Sequence, residues 1–460
     1  MNRPSHAATP LLKKYNVPGP RYTSYPTVPY WETNPTPEQW IGHLSSALST
    51  AKQEKQGGAL YLHIPFCERL CTYCGCNTRI TRNHGVSQPY TKTLLKEWAT
   101  YRERLGISTY PLAELHLGGG TPTFYTPEEL KELLEGLFAT CERATHSEFS
   151  IEADPRVTNP DHLRVLSGLG FTRLSLGIQD FDPKVQEIVN RVQSVEQVEA
   201  LTKEAREKGF QSINYDLIYG LPFQTRDSVR NTIETVIRLR PDRIAFYAYA
   251  HVPWIKASQR RFTEADLPDG DEKRALYELG RAMLEEAGYR EIGMDHFALE
   301  SDALWQATQS GRLHRNFMGY IPQQVSPLIG LGVSAIGDST TAFAQNEKLL
   351  EKYTQRVESG EVPLIRGHLL TEEDLVIRRH ILNLMTRFET RWEQSAQYTP
   401  YLESVPGRLA ELLSDGLVEI DGKTCRITES GRPYLRNICM AFDARLTAKA
   451  PGTQLFSKTI

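Results

Sequence analysis

The stretch AELHLGGGTPTFYTPEELKELLEGLFATCERATHSEFSIE, residues 113–152, decides the fold. Its two ends, AELHL (113–117) and EFSIE (148–152), are short apolar runs of strand length. Between them PEELKELLEGLFATC (127–141) places apolar residues at helical spacing. Strand, helix and strand make one βαβ unit, with its two strands parallel. The first strand empties into Gly118-Gly119-Gly120-Thr121-Pro122-Thr123. Three glycines let a backbone approach a ligand closely and present N–H groups to it, although such a run alone is a weak sign of a site.

The unit repeats on both sides. Upstream lies ALYLHI (59–64); downstream lie RLSLGI (173–178), SINYDLIYG (212–220) and RIAFYAY (243–249), with the helical VEQVEALTKEAREKGF (195–210) among them. Six strands joined right-handedly imply the α/β class and a partial (β/α)6 TIM-type barrel; an open doubly wound sheet is the alternative. In both, ligands gather at the C-terminal ends of the strands. Polar residues recur there: Glu152 ends the third strand, Gln179 the fourth, Asp216 sits on the fifth, and Ala250 and His251 follow the sixth. Singly such residues are ordinary hydrogen bonders, but their recurrence points to one pocket. Arg191, after the fourth strand, can face a carboxylate or be a solvated surface residue.

Three domains are expected: an arm over residues 1–35, a barrel over 36–345 and a C-terminal unit over 346–460. The arm is too Pro-rich for a continuous helix. It carries Tyr15, Tyr22, Tyr25, Tyr30 and Trp31, more apolar surface than a solvating tail needs. In the last unit LTEEDLVIRRHILNLMTRF (370–388) is helical, and GLVEI, an Asp-Gly turn and CRIT read as a hairpin, a mostly helical, winged-helix-like shape. Its ELLSDGL (411–417) is acidic and has no cation to face phosphates, which argues against nucleic acid as a partner. A net charge of -3 on 460 residues gives no global pull toward polyanions. No apolar run approaches the roughly 18 residues of a membrane span, and MNRPSHAATPLLKK lacks the apolar core of a secretory signal, so the cytoplasm is expected.

Four of the seven cysteines, Cys67, Cys71, Cys74 and Cys76, lie within ten residues, directly after the first strand. Such crowding is a metal site rather than a disulfide framework. Structural zinc takes four ligands, usually from two separated Cys-x2-Cys knuckles, and only one knuckle exists here. Cys67-x3-Cys71-x2-Cys74 suits an iron–sulfur cubane held by three thiolates with one iron left open. On spacing alone Cys76 is a fourth ligand, a redox partner or inert.

Together these residues resemble the radical S-adenosylmethionine signature, Cys-x3-Cys-x2-Cys followed by GGGTPT. PGPRYTSYPT, LYLHIPFC, CTYCGCN, HLGGGTPT, IEADPR, GIQDF, DLIYGLP, YAH, GMDHFAL, HRNF and RNIC occur in order. From about residue 13 to 460 the chain is therefore similar to the oxygen-independent coproporphyrinogen III oxidases. The resemblance implies a [4Fe-4S] cluster on Cys67, Cys71 and Cys74 and two molecules of S-adenosyl-L-methionine. It implies that cleavage of one gives a 5′-deoxyadenosyl radical that takes hydrogen from the β-carbon of a propionate. Loss of CO2 and an electron then leaves a vinyl group, twice over, turning coproporphyrinogen III into protoporphyrinogen IX in haem biosynthesis. It further implies that Tyr61, Tyr73, Gly119, Gly120, Thr121, Glu152, Gln179, Arg191, Asp216, Ala250 and Ile336 bind cofactor, with Glu152 also catalytic. A monomer served by a flavodoxin- or ferredoxin-type electron donor goes with it.

The arm becomes a cover over the substrate, with Arg21 facing a propionate, and Cys76 falls outside the cluster. One departure is Met318, which stands where some relatives have Gln after HRNF. The family's haem-binding, non-decarboxylating branch is the alternative. It lacks the arm and the cysteine matching Cys76, and has a His-Asn-x-x-Tyr-Trp motif. Here Asn316-Phe317-Met318-Gly319-Tyr320 lacks the adjacent His and the Trp, and His314 stands one residue too early.

Overall fold

The computed structural model describes residues 10–449, 451, 453 and 455–459; residues 1–9 of the expected arm lie outside these. The six expected strands are β1 Gly58–Ile64, β2 Tyr110–Gly119, β3 Cys141–Ala153, β4 Arg173–Gln179, β5 Ser212–Tyr219 and β6 Arg243–Ala248. Neighbours in this series pair in parallel. The sheet then grows at both edges from residues that showed no clear strand signal. These are β7 Tyr289–Gly293, β8 His296–Leu299, β9 Leu328–Leu331, β10 Ile336–Asp338, β11 Ala342–Asn346 and β12 Leu364–Leu369. The order is β12-β11-β10-β9-β1-β2-β3-β4-β5-β6-β8-β7, with β9 parallel to β1. Among the described residues β12 and β7 are the edges of this sheet.

Alternation along the strands sorts the two faces. Leu115, Leu117, Phe149, Ile151, Leu174, Leu176, Ile213, Leu217, Ile244 and Phe246 belong to the main apolar core, together with Leu130, Leu133, Leu134 and Leu137 of helix Pro127–Phe138. The residues between them are polar: Glu114, His116, Ser150, Glu152, Arg173, Ser175, Asn214, Asp216 and Arg243. Register aligns this polar set, with Glu152 beside Ser175, Ser175 beside Asn214, and Gly177 beside Asp216.

Helix Pro127–Phe138 begins with a capping box, in which Thr126 Oγ1 accepts from the Glu129 N–H and Glu129 Oε2 from the Thr126 N–H. It stops short of Cys141, the expected helix end, because Cys141 opens β3 and pairs with Tyr110. That half of β3 is mostly exposed and polar, so no apolar alternation announces it. The helix expected over 195–210 runs Val195–Glu207, and Gly209 at φ +93° turns the chain into β5.

β11 and β12, which lie across and beyond the boundary expected at 345/346, pair within the main sheet. The C-terminal unit starts with helix Glu372–Arg387. The expected hairpin forms, Val418–Asp421 against Thr424–Ile427, and Glu389–Arg391 adds a third strand. This unit has its own core around Ile377, Ile381, Leu384, Leu402, Ile438 and Phe442, and Tyr15, Tyr22 and Tyr25 of the arm are part of it. Tyr22 OH donates to Asp443 at 3.0 Å, and Arg436 donates to the carbonyls of Gly19 and Pro20. Trp31 stacks on Phe343 of β11 with ring centres 5.3 Å apart. Among the described residues no helix is long and apolar enough to cross a membrane.

Candidate active site

A cavity of about 490 Å³ opens at the C-terminal ends of β2–β6. Cys67, Cys71, Cys74 and Cys76 line it from the loop after β1, and Gly119, Gly120 and Thr121 from the loop after β2. Those two loops are knitted together. The Gly120 N–H donates to Ile64 O at 2.8 Å and the Thr121 N–H to Phe66 O at 2.9 Å. A Cβ on Gly120 would sit 2.6 Å from the Pro65 carbonyl, and one on Gly119 2.6 Å from the His63 ring. At Gly120 two backbones meet, and at Gly119 the His63 ring and a φ of +112° leave no place for a side chain.

The other walls come from strand ends. Glu152 accepts from the Gly119 N–H at 3.1 Å, and His116 Nε2 lies 3.4 Å from its second oxygen. Burial pushes the Glu152 carboxyl up, but the His116 ring, the Gly119 N–H and the His63 ring together outweigh it and hold it below its ordinary range. Asp216 goes the other way. Burial and the nearby Glu152 charge push it up to about 7, against hydrogen bonds from Asn214 and Ser175. Gln179 reaches the wall from a left-handed backbone, φ +70°. Tyr73 lies between two of the cysteines, and its carbonyl accepts from Gln259 at 3.1 Å.

Arg191 is buried, not a solvated surface residue. It donates to Gly177 O twice, at 2.6 and 3.0 Å, and to Asp154 at 3.1 Å. Its Nη1 is also 3.6 Å from Cys71 Sγ. Arg156 clasps the same Asp154 and reaches Cys71 Sγ at 3.7 Å. Asp154 and Arg156 escaped selection from the sequence although both lie in IEADPR; their i,i+2 spacing at a strand end was the signal. Ser175, Gly177, Asn214 and Tyr247 were also missed, and strand parity with Glu152 and Asp216 would have found the first three.

Tyr61, Ala250 and Ile336, expected to bind cofactor, are not in this cavity's wall. Tyr61 is buried on β1, where its OH meets His63 Nδ1 at 3.0 Å and its ring takes the edge of Phe317. Gly330 of β9 pairs with Tyr61 and leaves no room for a Cβ against Ile336. Tyr61 and Ile336 thus flank a common strand. Ala250 contributes its carbonyl to Gln259 Nε2 at 3.2 Å.

Among the described residues no three His, Cys, Asp or Glu side chains converge tightly enough for a single metal ion. The donor set fits a larger group. Four free thiols line a roomy cavity, and two guanidinium groups approach one of them, Cys71. Burial pushes the Cys67 thiol up to about 12, whereas a hydrogen bond from Cys76 brings the Cys74 thiol down to about 6.

Residues 61–236 match the Radical SAM superfamily model. Along its length the chain is 41% identical to the oxygen-independent coproporphyrinogen III oxidase of Escherichia coli (strain K12), over 98% of each chain. The chain belongs to the oxygen-independent coproporphyrinogen III oxidase family. Identity to the Pseudomonas aeruginosa oxidase is 38%, again over 98% of each. The solved structure of the Escherichia coli coproporphyrinogen III oxidase, a radical SAM enzyme, superposes with a TM-score of 0.86 at 40% identity, covering 92% of this chain and 97% of that one. Membership in this oxidase family carries with it a [4Fe-4S] cluster and S-adenosylmethionine.

Proposed function

We propose that the chain catalyses the oxygen-independent oxidative decarboxylation of two propionates of coproporphyrinogen III to vinyl groups, giving protoporphyrinogen IX. The observation that carries this reading is the meeting of Cys67, Cys71 and Cys74 with Glu152, Gln179, Arg191 and Asp216 in one cavity, in a chain alike from end to end to oxidases of that name. Cys67, Cys71 and Cys74 would hold the cluster, which together with S-adenosylmethionine would supply chemistry able to take a hydrogen atom from an unactivated C–H bond.

The chain's own residues bind and shelter. Glu152 and Asp216 differ in charge near neutrality, so one can accept from an ammonium or hydroxyl while the other, when protonated, donates. Tyr73, between cluster ligands, offers a ring to an adenine face. Arg191 is already engaged by Asp154 and Gly177, so it meets a carboxylate only with its remaining capacity. Two S-adenosylmethionine molecules in one site are part of the proposal. A monomer in the cytoplasm, reduced by a flavodoxin- or ferredoxin-type donor, completes it.

The test is anaerobic. Reduced, reconstituted protein given S-adenosylmethionine and coproporphyrinogen III should form vinyl porphyrinogens, with 5′-deoxyadenosine and CO2. Ser at Cys67, Cys71 or Cys74 should remove the iron, and Ser at Cys76 should leave it. Tight haem binding with no vinyl product would overturn the reading.

A further inference from the structure

The loop that carries the cysteines has an outer face as well as an inner one. A shallow depression on its outside is lined by Glu68, Arg69, Leu70, Ile80, Arg82 and Asn190. Leu70 is 41% exposed and Ile80 40%, and Val192, which lies with both at the mouth of the thiols' cavity, is 61% exposed. Single exposed apolar residues are ordinary, but three gathered at one place mark a surface that another molecule covers.

The backbone holds this face firmly and close to the thiols. Leu70 immediately precedes Cys71. Phe66–Cys67 and Arg79–Ile80 pair in parallel, which sets Ile80 beside Cys67, and the Thr81 N–H donates to Cys67 O at 2.9 Å. Asn190 Nδ2 donates to Leu70 O at 2.8 Å, and Arg156 Nη1 donates to Asn190 O at 3.2 Å. Val192 follows Arg191, whose Nη1 is 3.6 Å from Cys71 Sγ. The apolar centre of the face therefore lies within one residue or one register step of Cys67, Cys71 and Arg191.

The charge around this centre is predominantly positive. The one acid in the depression, Glu68, is turned to His84 at 3.2 Å, and Arg79 meets Glu351 at 3.0 Å beside it. Arg69 and Arg82 are exposed and have no carboxylate within ion-pair distance among the described residues. An apolar centre with a cationic rim fits a protein whose own contact surface is apolar within an acidic surround.

We propose that Leu70, Ile80 and Val192, rimmed by Arg69 and Arg82, are the docking face of an acidic one-electron carrier protein that reduces the cluster. This rests on the function proposed above, which needs an electron to cleave S-adenosylmethionine. Electron tunnelling weakens steeply with distance, so a carrier must meet the chain where the thiols lie nearest the surface. On docking, the reduced carrier loses one electron and the cluster that Cys67, Cys71 and Cys74 would hold gains it; no bond forms or breaks.

The experiment mixes cluster-loaded, full-length protein anaerobically with the hydroquinone of an acidic flavodoxin and follows the bleaching of the cluster by stopped flow. Photoreduced deazaflavin, small and uncharged at its ring, is the comparison reductant. Arg82→Glu and the double variant Arg69→Glu/Arg82→Glu reverse exposed charges and leave the core untouched. At low salt the double variant should slow second-order reduction by flavodoxin about 10- to 100-fold, with Arg82→Glu in between. The gap should close near about 1 M salt, where the screening length is about 3 Å. Reduction by deazaflavin, and the 5′-deoxyadenosine formed with it, should stay at the wild-type level. An unchanged flavodoxin rate in the double variant would overturn the docking face. So would an equal slowing with deazaflavin, because the arginines would then act on the cluster or on entry to the cavity. Wild-type protein that flavodoxin reduces in this salt-dependent way, but that forms no vinyl product, would count against the underlying function and leave the docking face standing.

Discussion

Glu114 shows how much a single barrel residue can govern. It is buried on the polar face of β2, and burial together with the Glu148 charge pushes its carboxyl up to about 8, Arg173 only partly opposing. A carboxyl raised on folding binds a proton that the unfolded chain releases. Its stabilising contribution is complete below the unfolded value near 4.5 and is lost as pH rises toward 8. Glu114→Gln keeps the shape and cannot ionise. Relative to wild type, the variant should therefore gain about 1 kcal/mol per pH unit between roughly pH 5 and 8. Anaerobic thermal melts at several pH values read this directly. A gap that does not change with pH would mean that Glu114 ionises like an exposed carboxylate.

At the scale of elements, the site depends on the contact between two loops. The cysteine loop and the glycine loop share backbone hydrogen bonds through Ile64, Phe66, Gly120 and Thr121. Gly120→Ala would drive a methyl into the Pro65 carbonyl, a backbone group that cannot turn aside. The loop carrying Cys67 must move, at a cost of about 1–3 kcal/mol. Iron and sulfide per chain after anaerobic reconstitution should fall clearly below wild type. Full cluster loading would show that the loops are not coupled through this contact.

For the whole molecule, the arm is a structural member. Trp31 is buried, stacks on Phe343 and donates its indole N–H to Pro26 O at 2.9 Å. Truncating it opens a cavity at the edge of the main sheet. Trp31→Ala should cost about 3–5 kcal/mol, seen as a lowered Tm, with faster tryptic cleavage in the arm. A melt equal to wild type would mean that the arm contributes nothing to stability.

The sequence by itself determined the succession of βαβ units, the cysteine loop after β1, the strand-end acids and the family, because spacing and periodicity are local and survive in the linear chain. It also carried the C-terminal hairpin, through Asp421-Gly422. Only the tertiary structure decided the rest. Edge strands β7–β12 are three to six residues long, too short for a period to show, and they exist because neighbours supply their hydrogen bonds. The arm's place depends on a core with residues some 400 positions away. Arg191 reads as a free cation in the chain and is in fact held by Asp154, 37 residues before it. Tyr61 and Ile336 are brought to either side of Gly330 by the pairing of β9 with β1 and by the close packing of Ile336 on Gly330. Pairing of charges and of strands across the fold is a property of closure, and no local pattern contains it.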